Sequence, residues 1–167
     1  MRNNPNSKLV KTLVTHPLEV ALCCILIAMV LITFSQVVSR YLLHVSLSWS
    51  EESARFLLMW MAMLSAAYGF KTKSHFALTF IVGRFSAGWR RTIGLLVTLA
   101  TAIFLVVFVV KALELTQSVM GRIGPGTQIS FAVPYSSTIV GGVLMLFYVL
   151  RTGWRDFLGR PHHNDLI

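Results

Sequence analysis

The densest cluster of residues able to do chemistry is Trp49, Glu51, Glu52 and Arg55, with Arg40 a short loop away. Glu51 and Arg55 stand at i,i+4, and Glu52 and Arg55 at i,i+3, so on a helix they share a face and can pair. The chemistry open to such a set is electrostatic. It is either an internal salt bridge that anchors a helix end or a charged docking patch for another subunit, and the two roles are compatible. No activated nucleophile accompanies it. The chain has no G-x-S-x-G, P-loop, H-E-x-x-H or aspartate-rich phosphotransfer motif. Its only aspartates, Asp156 and Asp165, lie near the carboxyl end, and His162-His163 reads as part of a terminal tail rather than a metal site. The expectation is no enzyme, no metal and no cofactor. A second basic and aromatic set, Lys71, Lys73 and His75 with Trp89, Arg90 and Arg91, suits anchoring to lipid headgroups at the membrane interface.

The elements that must position these residues are apolar. Of 167 residues, 55% are hydrophobic and 13% charged, which places the chain among membrane proteins. No charge occurs between Glu19 and Arg40, between Arg55 and Lys71, between Arg91 and Lys111, or between Arg122 and Arg151. The predicted fold is all-α and integral to the membrane, one domain over residues 1–167. Four transmembrane helices are expected at about 18–39, 54–70, 92–110 and 131–150, with a short interfacial helix at about 75–89. Ser48 and Glu51 have capping-box spacing at the start of the second span, and Pro17 and Pro134 suit first turns. Lys111 and Glu114 stand at i,i+3 on a third helix that can run on to Met120. Gly141-Gly142 permits a bend or a close helix approach, and Gln36 reads as an interhelical hydrogen-bonding group. The first apolar segment is longer than a signal-peptide core and has no clean small-residue cleavage site, so it reads as a retained helix. Cys23 and Cys24 are adjacent, a spacing that very rarely forms a bridge, and they behave as small apolar groups.

Orientation follows from Lys and Arg. Arg2, Lys8 and Lys11 precede the first span, Lys71, Lys73, Arg84, Arg90 and Arg91 join the second to the third, and Arg151, Arg155 and Arg160 follow the fourth. Against these stand only Arg40, Arg55, Lys111 and Arg122, so both termini are expected in the cytoplasm. The formal charge of +9 is accounted for by these flanks facing anionic lipid, and nucleic acid is not an expected partner. Charges inside the membrane, costing at least about 2.5 kcal/mol at its centre, are what pumps and proton-coupled carriers use. Their absence points to a protein that supports transport by another.

At the polar cluster the chain resembles a known family. L-S-W-S-E-E-S-A-R-F-L-L-M-W (Leu47 to Trp60), then A-A-Y-G-F-K-T-K-S-H-F (Ala66 to Phe76), with S-R-Y (Ser39 to Tyr41) before them, is similar to the small, DctQ-like (SiaQ-like) membrane subunit of tripartite ATP-independent periplasmic (TRAP) transporters. Trp49, Glu51, Glu52, Arg55, Trp60 and His75 carry the likeness, which extends over about residues 15–155. The chain departs from the family where Ser65-Ala66-Ala67 replaces a mid-span glycine and where no acid follows His75. The resemblance implies a fixed scaffold in the bacterial inner membrane, partnered by a large DctM-like subunit and a periplasmic solute-binding protein. Import would be sodium-driven, of carboxylates such as four-carbon dicarboxylates or sialic acid. The loops around 44–52 and 121–130 would face outward and help dock the binding protein, with Arg40, Trp49, Glu51, Glu52 and Arg55 at the partner interface. The rival readings are an accessory or assembly subunit of another membrane complex and a small four-helix exporter; the exporter needs a membrane-embedded acid, and Glu19 lies only at a span's end.

Overall fold

A computed structural model describes residues 16–45, 47–73 and 87–157. Among the described residues four long helices form: α1 (Pro17–Val38), α2 (Ser48–Lys73), α3 (Ala87–Ser118) and α4 (Ala132–Phe157). Three stretches are long and apolar enough to cross a membrane, Pro17–Leu43, Thr92–Ser118 and Ala132–Trp154. The second helix is 26 residues long, about 39 Å at 1.5 Å per residue, but charges at both its ends make it less apolar.

Each helix begins and ends where its sequence offers backbone partners. Pro17 opens α1 at a position where no N–H is needed, and Glu19 lies in its first turn, where the helix dipole favours an acid. At the other end α1 widens into a π-helical turn, Ser39–Leu43. Ser39 is buried and donates its hydroxyl to the Val45 carbonyl at 3.0 Å, while Val45 N–H donates to the Ser39 carbonyl at 3.3 Å. His44 closes this reversal in the left-handed region at φ 55°. The expected capping box at Ser48 does not form. Glu51 turns towards α1, and buried Ser50 instead donates to the Leu47 carbonyl at 2.6 Å.

Helix α1 matches the span read from the sequence, whereas α2, α3 and α4 outrun theirs, because polar residues continue them past the hydrophobic boundary. The largest extensions are at the ends of α3, which reaches Ser118 with Lys111 and Glu114 paired at 2.8 Å, and of α4, which reaches Phe157. The interfacial segment expected at 75–89 lies largely outside the described residues. Its last three positions, 87–89, open α3 and do not end a separate helix.

The helices pack in the order α1–α2–α4–α3. Ala67 of α2, Leu105 of α3, and Met145 and Val149 of α4 form the core, flanked by Met63, Phe70, Ala102 and Phe108. The two glycines of α4 let it sit between its neighbours. A Cβ on Gly141 would lie 2.9 Å from Met63 Cβ, and one on Gly142 would lie 2.8 Å from Val109 Cγ2. Close approach, rather than a bend, is therefore what Gly141-Gly142 provides. α1 has no buried residue and, among the described helices, packs mainly on α2. Cys23 and Cys24 on it are exposed thiols.

Candidate functional site

The residues from Trp49 to Arg55 occupy the first two turns of α2, and the two acids among them reach different elements. Glu51 is exposed and accepts from Gln36 Nε2 of α1 at 3.2 Å. Gln36 therefore does bridge helices, in the way its polarity in an apolar segment suggests. Arg55 pairs with neither carboxylate among the described residues. Its Nε donates back to the Glu51 carbonyl at 3.3 Å, and the group stays exposed. The i,i+3 and i,i+4 spacings put the three residues within reach of one another, but each acid has a better partner elsewhere.

Glu52 is the clearest case. It is only 6% exposed and is the one buried side chain of formal charge among the described residues. Its Oε2 accepts two successive backbone N–H groups, from Gly126 at 2.8 Å and Thr127 at 2.9 Å. These belong to the α3–α4 connection, 74 and 75 residues further along the chain. Two adjacent N–H groups aimed at one oxygen make a small anion-binding concavity, and here the anion is supplied by the chain itself. Such bonds to an ionised acceptor are roughly twice as strong as neutral ones. Oε1 is also buried and has no hydrogen-bond partner.

The connection is shaped around that carboxylate. Gly124 N–H donates to the Ile129 carbonyl at 2.9 Å, Gln128 N–H to the Gly124 carbonyl at 3.0 Å, and Phe131 N–H to the Arg122 carbonyl at 2.9 Å. An isolated antiparallel bridge pairs Ile123 with Ser130, and Gln128 takes the left-handed conformation at φ 57°. Gly124 is buried with Glu52 Oε1 in the space its Cβ would occupy. A Cβ on Gly126 would stand 2.8 Å from the Ser48 carbonyl oxygen and 2.9 Å from Glu52 Oε2. The Phe56 and Phe131 rings meet edge to face at a centroid distance of 5.7 Å and further tie α2 to the start of α4.

The remaining candidates divide. Arg40 is exposed in the turn after α1, and Trp49 is 45% exposed beside Glu51. Lys71 lies at the opposite end of α2. Its Nζ is 3.7 Å from Glu19 of α1 and 5.6 Å from the Tyr68 ring, so it ties helices together as well as facing outward. His16 Nδ1 meets the same Glu19 oxygen at 3.0 Å. His75 and the side chains of Lys73, Trp89, Arg90 and Arg91 lie outside the described residues. Sequence reasoning missed Gly124 and Gly126 as partners of Glu52. The G-P-G run signals a turn, but nothing local identifies which carboxylate reaches it.

The apolar helices, with their polar groups spent on holding the ends of the helices to one another, define a multi-pass α-helical membrane protein. Comparison with known proteins makes this specific. The family model for tripartite ATP-independent periplasmic transporters, DctQ component, matches residues 29–159. The chain is 23% identical over 157 residues to the C4-dicarboxylate TRAP transporter small permease protein DctQ of Vibrio cholerae, covering 80% of this chain and 68% of that protein. It is 32% identical over 71 residues to a TRAP transporter small permease protein of Haemophilus influenzae, covering 42% of this chain and 44% of that protein. The chain belongs to the DctQ family of TRAP transporter components. It is a transporter permease subunit of the bacterial inner membrane, not an enzyme.

Proposed function

We propose that this chain is the small, non-transporting scaffold subunit of a sodium-driven carboxylate importer. It forms one membrane domain of four spans with both termini in the cytoplasm. It works beside a large DctM-like subunit that carries the substrate and a periplasmic binding protein that delivers it. Four-carbon dicarboxylates or sialic acid are the substrate classes. The name of the Vibrio cholerae relative favours the former, while sodium coupling rests on the family likeness.

One observation supports the scaffold role above the others. No Asp, Glu, Lys or Arg lies in the middle of any of the four helices, and the acids at their ends whose side chains are described are engaged by the chain itself: Glu19 with Lys71, Glu51 with Gln36, Glu52 with the α3–α4 connection and Glu114 with Lys111. A carrier of charged solute needs at least one such group free at depth. Affinity purification in mild detergent from the native host tests the reading. A large multi-span subunit at about equal stoichiometry is the expected co-purifying partner, and liposomes holding this chain alone should take up nothing. Recovery of the chain alone, or only as a homo-oligomer, would sink the proposal.

On this reading the end that carries Glu52 faces the periplasm, and residues around 44–52 and 121–130 contact the binding protein. Since Glu52 is buried, Glu51 is the acid able to present charge there. Glu51→Lys should weaken docking of the binding protein and lower uptake. Unchanged docking and uptake would remove Glu51 from the interface.

A further inference from the structure

A carboxylate meant to attract a partner keeps its oxygens in water. Glu52 does the reverse: both oxygens are withdrawn, one under two backbone N–H groups and the other against Gly124. The α3–α4 connection closes over it through the Ile123–Ser130 bridge and leaves Ile123 and Ile129 exposed, at 60% and 43%. Two apolar side chains on the outward side of a short, internally bonded loop make a defined surface only while the loop keeps its shape. What keeps the shape is a side chain from another helix.

We propose that Glu52, with Gly124 and Gly126, is a positioning lock that holds the α3–α4 connection in the conformation in which Ile123 and Ile129 meet the periplasmic binding protein. This rests on the docking reading above. Glu52 acts through reach and shape: the side chain must be long enough to place one oxygen under Gly126 and Thr127, and Gly124 must leave room for the other. Its charge strengthens those two bonds but is not offered to the partner.

The two conservative variants separate reach from charge. Glu52→Gln keeps the length and one acceptor oxygen but loses the charge. Glu52→Asp keeps the charge but is one methylene short. The complex co-purified from the native host is reconstituted in liposomes and titrated with the solute-loaded binding protein recovered with it. Uptake then gives a half-saturating concentration separately from a maximal rate. For E52D and Gly124→Ala the half-saturating concentration should rise about tenfold or more, the loss expected when buried charge-assisted bonds break. E52Q should stay within about threefold, and the yield of assembled complex should hold for all three. Wild-type behaviour of E52D with a loss in E52Q would overturn the lock in favour of a presented charge. Wild-type behaviour of E52D and G124A alike would also overturn it.

Ile123→Glu and Ile129→Glu test the surface itself. If they leave half-saturation unchanged, the docking reading fails. If they raise it while E52D and G124A do not, docking stands and the lock is wrong. Should G124A fail to assemble, the E52A/G124A pair decides, since the added methyl then enters the space the carboxylate vacated. The pair should assemble as well as E52A alone, and a pair that assembles worse than E52A would reject the arrangement.

Discussion

The two ends of α2 are held by opposite means. At the Glu52 end a buried carboxylate grips backbone N–H groups of a distant connection, and two glycines exist to admit it. At the Glu19 end a half-buried carboxylate meets His16 at 3.0 Å and Lys71 at 3.7 Å, with 30–45% of each side chain open. Both use an acid to join helices, yet the physics differs. The first acid has lost its water and is repaid only by fixed donors, so geometry is everything. The second keeps much of its solvation and can exchange partners at little cost. The difference shows that counting ion pairs says little about which end is rigid; the acid with no ion pair is the one the fold is built around.

The comparison is broken most sharply by removing the first grip. Glu52→Ala leaves the Gly126 and Thr127 N–H groups without their acceptor and should cost about 3 kcal/mol or more. Thermal melting of the purified chain in detergent would show it. The two glycines should then respond differently. Gly126→Ala meets the Ser48 backbone carbonyl as well as Glu52, so Glu52→Ala cannot relieve it. Gly124→Ala meets only Glu52, so the two changes should be strongly non-additive. Additive losses at position 124 would mean that the carboxylate does not seat against that glycine.

Next in size are the helix contacts in the middle. Gly141→Ala presses on the Cβ and carbonyl oxygen of Met63, which cannot turn aside, whereas Gly142→Ala presses on the Phe108 ring and a Val109 methyl. Overpacking of this kind costs about 1–3 kcal/mol, and the Gly141 change should lie at the upper end. Equal melting temperatures for the two variants would argue that α4 is free to shift against α2. Below these comes Gln36→Ala. It removes one exposed 3.2 Å interhelical bond, and about 0.6 kcal/mol is the average for such a bond in membrane proteins. A loss as large as that of Glu52→Ala would make α1 a firmly held element, contrary to its lack of any buried residue.

Much of this architecture is legible in the chain. Gaps between charges mark where the apolar helices lie, because hydrocarbon excludes charge more strictly than it prefers any apolar type, but they miss the polar turns by which α2, α3 and α4 run on. Lys111 with Glu114 and the polarity of Gln36 also read correctly, since each has its partner at short range or across one helix pair. What resists reading is whatever depends on packing order. α4 between α2 and α3 follows from Gly141 and Gly142 facing different neighbours, and a single sequence shows only that two glycines adjoin. Glu52 misleads for the same reason. Its spacing to Arg55 offers a local salt bridge, and the carboxylate takes the pair of N–H groups 74 residues away, where two donors are already fixed in place. Helix ends extend past the apolar cores because α2 gains partners there from α1 and from the α3–α4 connection, and such gains are tertiary.

The smallest effect is expected at the Glu19 end and is the most informative about the contrast. Glu19→Gln removes an acid whose partners lie at 3.0 and 3.7 Å and are partly open to solvent. Lys71→Ala removes the cation and its contact with the Tyr68 ring at 5.6 Å. Exposed pairs contribute about 0.2–1 kcal/mol, and an exposed cation–π contact about 0.5–1. Both variants should therefore melt close to the parent, and raising the salt should shrink the difference further, because the screening length of solvent-open charges falls from about 10 Å at 0.1 M to about 3 Å at 1 M. A loss matching that of Glu52→Ala, unaffected by salt, would show that Glu19 is held away from water in the assembled membrane protein. The two ends of α2 would then be alike, and the rigidity assigned here to the Glu52 end alone would have to be shared.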